Sequence, residues 1–146
     1  MRQRTVLLIA SHCCDGQRTR RTFEQISRHH ILRIVSDGTE ALAYLRQEGI
    51  YSDPRQAPHP DIIMLDLPLP RLSGLELLQC IKQDSRLRHV PVIVLATSLC
   101  PDEVSQVYVA GANSYVQKPM AYSCFTEVVG ALEKFWLETA QLPSDV

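Results

Sequence analysis

No stretch of this sequence is apolar for long enough to cross a membrane, and its net charge is only −1. It has no Cys-x-x-Cys spacing, no glycine-rich phosphate loop, no internal repeat and no low-complexity segment. Each absence removes a class of function. A near-neutral chain has no bulk attraction to nucleic acid or to an anionic membrane. Five cysteines, an odd number without metal-ligand spacing, read as reduced thiols and not as a disulfide frame or zinc site. Without a glycine-rich loop there is no cradle for a flavin or nucleotide phosphate. Arg2 and Arg4 lead into a short apolar run, Val6 to Ala10, which is too short for a span and lacks a secretory cleavage pattern. A cytoplasmic protein is expected.

What is present describes one globular domain. The 146 residues are 45% hydrophobic and 21% charged, enough for one core. Short apolar runs alternate with amphipathic segments. The expected strands are Thr5 to Ala10, Ile31 to Val35, Asp61 to Asp66, Pro91 to Ala96 and Ser114 to Gln117. The expected helices are Gln17 to Arg28, capped by Asp15 or Ser11, then Thr39 to Gln47, Gly74 to Gln83, Asp102 to Ala110 behind Pro101, and Tyr122 to Thr139. In the last, Val128, Val129, Leu132 and Phe135 are expected to face inward. Gly49 to Pro60 reads as a long surface connection. Five βα repeats with buried strands predict an α/β fold: one doubly wound, five-stranded parallel sheet with helices on both faces.

The chain turns on Asp61-Ile62-Ile63-Met64-Leu65-Asp66-Leu67-Pro68-Leu69-Pro70-Arg71-Leu72-Ser73-Gly74. Prolines straight after an apolar run stop the strand, so Asp66 sits at the carboxyl edge where open α/β sheets place their ligands. Asp66 could equally cap a turn. Ser11-His12, Ala96-Thr97 and Lys118 follow other strands at the same edge. A lysine beside Asp66 is expected to push its pKa down and keep it ionised, ready to attack a phosphoryl group while the ammonium steadies the added charge. A plain ion pair closing the top of the sheet is the competing reading.

The spacing Asp66-x-x-x-Pro70-x-x-x-Gly74, with Tyr115-x-x-Lys118-Pro119 later, resembles the receiver domain of two-component response regulators. The likeness spans nearly the whole chain, 1–146, with 122–146 as terminal helix and tail. It implies a flavodoxin-like (βα)5 receiver with Asp66 as phosphoacceptor, Lys118 as phosphate partner and Tyr115 as aromatic switch. It also implies a cis Lys118-Pro119 bond and a Pro68 carbonyl facing Mg2+ alongside Asp66. Ala43-Tyr44-Leu45-Arg46-Gln47-Glu48-Gly49 and the tail Phe135-Trp136-Leu137-Glu138, ending Gln141-Leu142-Pro143, resemble the stand-alone regulators that partner cyanobacterial phytochromes. That implies a sensor histidine kinase as partner, a phytochrome among the candidates, a homodimer, and no DNA-binding output. Phe135 and Trp136 are candidates for the interface, the alternative being that they close the core.

The sequence also departs from the family. The two acidic places after the first strand are read as Ser11 and His12, and Asp15 lies too far along the loop to replace them. A hard cation wants several oxygen ligands, and a protonated His12 would repel it, so Mg2+ is expected to bind weakly or not at all. Ala96 replaces the hydroxyl residue at the end of the fourth strand, and Thr97 points to the opposite face. Ser73 replaces the acid before Gly74. Lys118, with His12 as second candidate, would then hold Asp66 in a fixed ion pair. Two readings stay open: a phosphorelay receiver with impaired Mg2+-dependent phosphorylation, or a phosphorylation-independent pseudo-receiver acting as an adaptor. No base or nucleophile beyond Asp66 supports an enzyme. His12-Cys13-Cys14 could sense thiol oxidation or bind a soft metal. Arg18, Arg20, Arg21 and Arg28 crowd the first helix, a solvated face or a kinase-docking face.

Overall fold

The buried strands alternate their side chains between two separate cores, and that alternation sets the architecture of the computed structural model, which describes residues 3–145. The elements are β1 (Thr5–Ile9), α1 (Cys14–Ile26), β2 (Ile31–Val35), α2 (Gly38–Arg46), β3 (Ile62–Asp66), α3 (Gly74–Gln83), β4 (Val92–Ala96), α4 (Pro101–Val109), β5 (Ser114–Gln117) and α5 (Tyr122–Glu133). All strand pairs are parallel, in the order β2-β1-β3-β4-β5. Leu7, Ile9, Ile63, Leu65, Val92 and Val94 point to one face, against Leu45 of α2, Leu77, Leu78 and Ile81 of α3, and Val107 of α4. Val6, Leu8, Ile62, Met64, Ile93 and Leu95 point to the other, against Phe23 of α1 and Phe125 and Val129 of α5. Period-two side chains on a sheet covered twice explain why β1, β3 and β4 read as unbroken apolar runs. This is the flavodoxin-like receiver fold expected from the sequence.

Local chemistry sets the boundaries. Asp37 caps α2 by accepting from Glu40 N at 2.8 Å, and Ser73 caps α3 by accepting from Glu76 N at 3.1 Å. Pro101 opens α4 at a position where its missing N–H costs nothing. The connection 49–60 is pinned, not loose: Gly49–Tyr51 makes one 3-10 turn, and Ala57 is buried. Tyr44 O–H donates to Pro58 O at 2.8 Å, and Gln47 Nε2 to Ala57 O at 3.1 Å.

Two expectations fail at helix ends. Helix α1 begins at Cys14, not Gln17, because Cys13 is extended and its Sγ accepts from Gly16 N, while Gln17 N reaches back to Cys13 O at 2.8 Å. Neither Asp15 nor Ser11 is the cap; Asp15 belongs to the first turn. At the other end the last helix changes pitch. Lys134–Thr139 winds as a wider π-helix, with Ala140 N bonding Phe135 O at 2.7 Å. The extra residue per turn rotates Leu137 into the core and turns Phe135 outward, 54% exposed, where an inward Phe135 had been expected.

Candidate functional site

The carboxyl ends of β1, β3 and β5 bring one buried acid and one buried base together. Asp66 ends β3 and is 2% exposed; Lys118 follows β5 and is 1% exposed. Lys118 N donates to Ala96 O at 2.7 Å, which fixes the backbone from which its side chain starts. Its Nζ stands 2.5 Å from Asp66 Oδ1. The same ammonium donates to Asp15 Oδ2 in the first turn of α1. Asp15 is the residue that sequence reasoning set aside. The misplaced start of α1 was the cause, since a helical first turn aims Asp15 back over the strand ends. The usable signal was a carboxylate two residues past a capping side chain, where the helix dipole favours it.

Burial and charge oppose each other at Asp66. Lys118 stabilises the carboxylate, but desolvation is the larger effect, and the Asp15 carboxylate adds repulsion; the Asp66 pKa is pushed up to about 6. The expectation of a lowered pKa is therefore wrong in sign. At pH 7 the group is still ionised by roughly ten to one.

His12 does not reach Asp66. It is exposed, and its Nε2 lies 2.8 Å from Ser36 Oγ, which also accepts from Arg20 at 2.7 Å. Arg20 anchors this corner through two donors to Ala10 O, at 3.1 and 2.8 Å. The register pairing Ile9 with Leu65 continues with Ala10 beside Asp66, so the positions flanking the acid are the apolar Ala10 and the buried Ser11. Ser11 Oγ is engaged with Cys13 Sγ at 2.9 Å. That contact and the Gly16 N–H hold the Cys13 thiol below its usual pKa. Cys13 and Cys14 are both exposed free thiols.

The donor set does not fit a hard divalent cation in the way the family resemblance implies. Ala10 offers no donor, Ser11 and His12 face other partners, and the two carboxylates converge on one ammonium. Pro68 and Pro70 border a cavity of about 610 Å3 with Ser11 and His12. Among the described residues no three His, Cys, Asp or Glu side chains form a ligand group.

On the β4 side Ala96, the last residue of the strand, is buried, and Thr97, just past its end, is exposed. Both line a second cavity of about 260 Å3 with Leu67, Pro68, Gly74 and Val107. Tyr115 O–H donates to Ser98 O at 2.8 Å, which ties its ring to the β4–α4 loop. A Cβ at Gly74 would sit 2.0 Å from Leu67 Cδ2, so a larger residue there requires the Leu67 side chain to shift. The Lys118-Pro119 bond is not cis; the cis bond lies at Leu67-Pro68. Arg18 fixes the Pro119 and Met120 carbonyls, at 2.9 and 3.0 Å.

At the tail, Phe135 and Trp136 meet edge to face, with centroids 5.3 Å apart. Trp136 packs partly against the α1–α5 core, while Phe135 lies exposed beside it.

Residues 8–129 match the model of the response regulator receiver domain. The chain is 36% identical to response regulator Rcp1 of Synechocystis sp. strain PCC 6803, over 97% of this chain and 94% of that protein. Among solved structures it resembles the phosphorylated cyanobacterial phytochrome response regulator RcpA, with TM-score 0.87 and 37% identity over 97% of this chain and 99% of that one. It also resembles the Mn2+-bound form of Rcp1, with TM-score 0.83 and 36% identity over 96% and 99%.

Proposed function

The chain belongs to the response regulator receiver domain family, and from that premise we propose that it is a signal receiver whose phosphoacceptor is Asp66. In this reading 1–146 form one receiver domain that acts in the cytoplasm, and the protein is not an enzyme in its own right. Ionised Asp66 attacks the phosphorus of a phosphohistidine on a sensor kinase. A P–O bond forms to Asp66, the P–N bond breaks, and the imidazole leaves with the electron pair. Lys118 meets the charge that arrives on Asp66. The buried Asp66–Lys118 pair, 2.5 Å apart, is the observation that carries this reading.

The same site supports an impaired version of the chemistry. A Lewis-acid metal contributes several kcal/mol to phosphoryl transfer, and the donors that would hold one are engaged elsewhere. Weak or absent Mg2+ binding and slow phosphorylation follow. Tyr115, with Ala96 and Thr97, forms the switch region, and Pro70, Gly74 and Pro119 shape its loops. The likeness to Rcp1 and to RcpA favours a histidine kinase of the phytochrome type as partner. Exposed Phe135 beside Trp136 favours a homodimer through the last helix. No helix among the described residues is long and apolar enough to cross a membrane, and the net charge of −1 gives nucleic acid no purchase. A second reading, a phosphorylation-independent adaptor, draws on the Asp15–Lys118 contact, which neutralises the ammonium with no phosphate present.

Intact-protein mass after incubation with acetyl phosphate, with and without Mg2+ and with Asp66→Asn as control, separates these. A slow adduct that is indifferent to Mg2+ and missing from the control is the expected result. A fast Mg2+-dependent adduct refutes the impairment. No adduct under any condition refutes the acceptor role and leaves the adaptor.

A further inference from the structure

Lys118 has one ammonium and two carboxylates, and the two carboxylates differ in what they can do. Asp66 is enclosed, its side chain 3% exposed, and cannot retreat into water. Asp15 is 37% exposed and has somewhere to go. Its other oxygen lies 3.4 Å from Arg18 Nη2, a loose contact with room to tighten. Its place in the first turn of α1 lets the helix dipole support its charge when Lys118 does not.

We propose that Asp15 is a displaceable counter-anion: it occupies Lys118 in the resting protein and is expelled when Asp66 acquires a phosphoryl group. This rests on Asp66 being the acceptor. Two forces act in the same direction once the group is added. Lys118 gains a partner of higher charge, and Asp15 is left beside a new anion of its own sign. The latch thus competes with the very charge that Lys118 serves, and Asp15 is a positioning residue that sets how much of Lys118 is available.

Arg18 gives the displacement somewhere to register. Besides Asp15 it holds the carbonyls of Pro119 and Met120, at 2.9 and 3.0 Å, and lies 4.7 Å over the Phe125 ring. One guanidinium therefore joins the latch, the loop after Lys118 and the start of α5. When Asp15 swings fully onto Arg18, the guanidinium's grip on the two carbonyls weakens. The change reaches Met120, which is 88% exposed.

The experiment compares wild type with Asp15→Asn, and with Arg21→Gln as a control on the exposed face of the same helix. The first readout is the NMR signal of the Lys118 ammonium. It should move in Asp15→Asn and stay in place in Arg21→Gln; an unmoved signal overturns the latch. The second is acetyl phosphate adduct after a fixed time, expected to rise severalfold in Asp15→Asn, because Lys118 no longer has a competing anion. Equal yields in wild type and variant overturn it. If neither protein takes up phosphate, the acceptor reading fails by itself, and inorganic sulfate then judges the latch. Sulfate must shift the Lys118 signal in Asp15→Asn at concentrations that leave wild type unmoved, and failure to do so overturns it. Asp15→Ala repeats each comparison should the asparagine variant unfold.

Discussion

Replacing Asp66 by asparagine should make the protein more stable at neutral pH, although it removes one half of a buried ion pair. The fold raises the Asp66 pKa from 3.8 to about 6, with burial as the main cause. Between those values the folded protein holds more proton than the unfolded chain, so stability falls as pH rises. The group's contribution is fully favourable below pH 3.8, is lost through pH 6, and is a net cost above it. The gap corresponds to about 3 kcal/mol. Asparagine has nearly the shape of the protonated acid and escapes that cost, while Asp15 still partners Lys118. Urea unfolding of both proteins at pH 4, 5.5 and 7.5 gives the test. The stabilisation should be near zero at pH 4 and grow to about 2–3 kcal/mol at pH 7.5. A destabilised variant at pH 7.5 would show that Lys118 attraction outweighs desolvation. A difference that does not vary with pH would remove Asp66 as its source.

Further perturbations address the scaffold. Gly16→Ala gains helix propensity of up to about 1 kcal/mol, but its Cβ would lie 2.2 Å from the Ser11 carbonyl oxygen. Backbone cannot yield as a side chain does, so a net loss of about 1–3 kcal/mol is expected in thermal unfolding. Leu137→Ala should cost about 2–5 kcal/mol, whereas Phe135→Ala should leave monomer stability within about 0.5 kcal/mol and weaken self-association in sedimentation. Equal losses of stability from both would place Phe135 in the core. Tyr115→Phe removes the bond to Ser98 O and should cost about 1 kcal/mol, with faster amide exchange confined to the β4–α4 loop.

The sheet was legible because each buried strand is a short apolar run closed by a breaker, and β3, α3 and β5 fall where the residues place them. Asp66 and Lys118 were legible for a related reason: each is a charged residue at a strand end where a proline soon breaks the chain. What pattern could not supply was the competition at the site. Sequence places a lysine near an aspartate but carries no measure of how dry that aspartate is, and the dryness reversed the sign of its pKa shift. Asp15 was missed because a thiol, not a hydroxyl or a carboxylate, caps α1. The outward turn of Phe135 depends on a change of helical pitch in Lys134–Thr139 that leaves no mark on hydrophobic periodicity.

The arginines of α1 look interchangeable as a string of letters and are not. Arg18 is committed to the loop after β5, and Arg20 to Ala10 and Ser36. Only Arg21 and Arg28 stay exposed on this helix and the turn that follows it. The acceptors of Arg18 and Arg20 are mostly neutral oxygens, so the charges stay in the long-range field of this face, but those two side chains are not free to form new contacts. A partner is therefore attracted by the whole cluster and gripped by Arg21 and Arg28, so salt should slow its association while substitution of Arg21 and Arg28 should hasten its release.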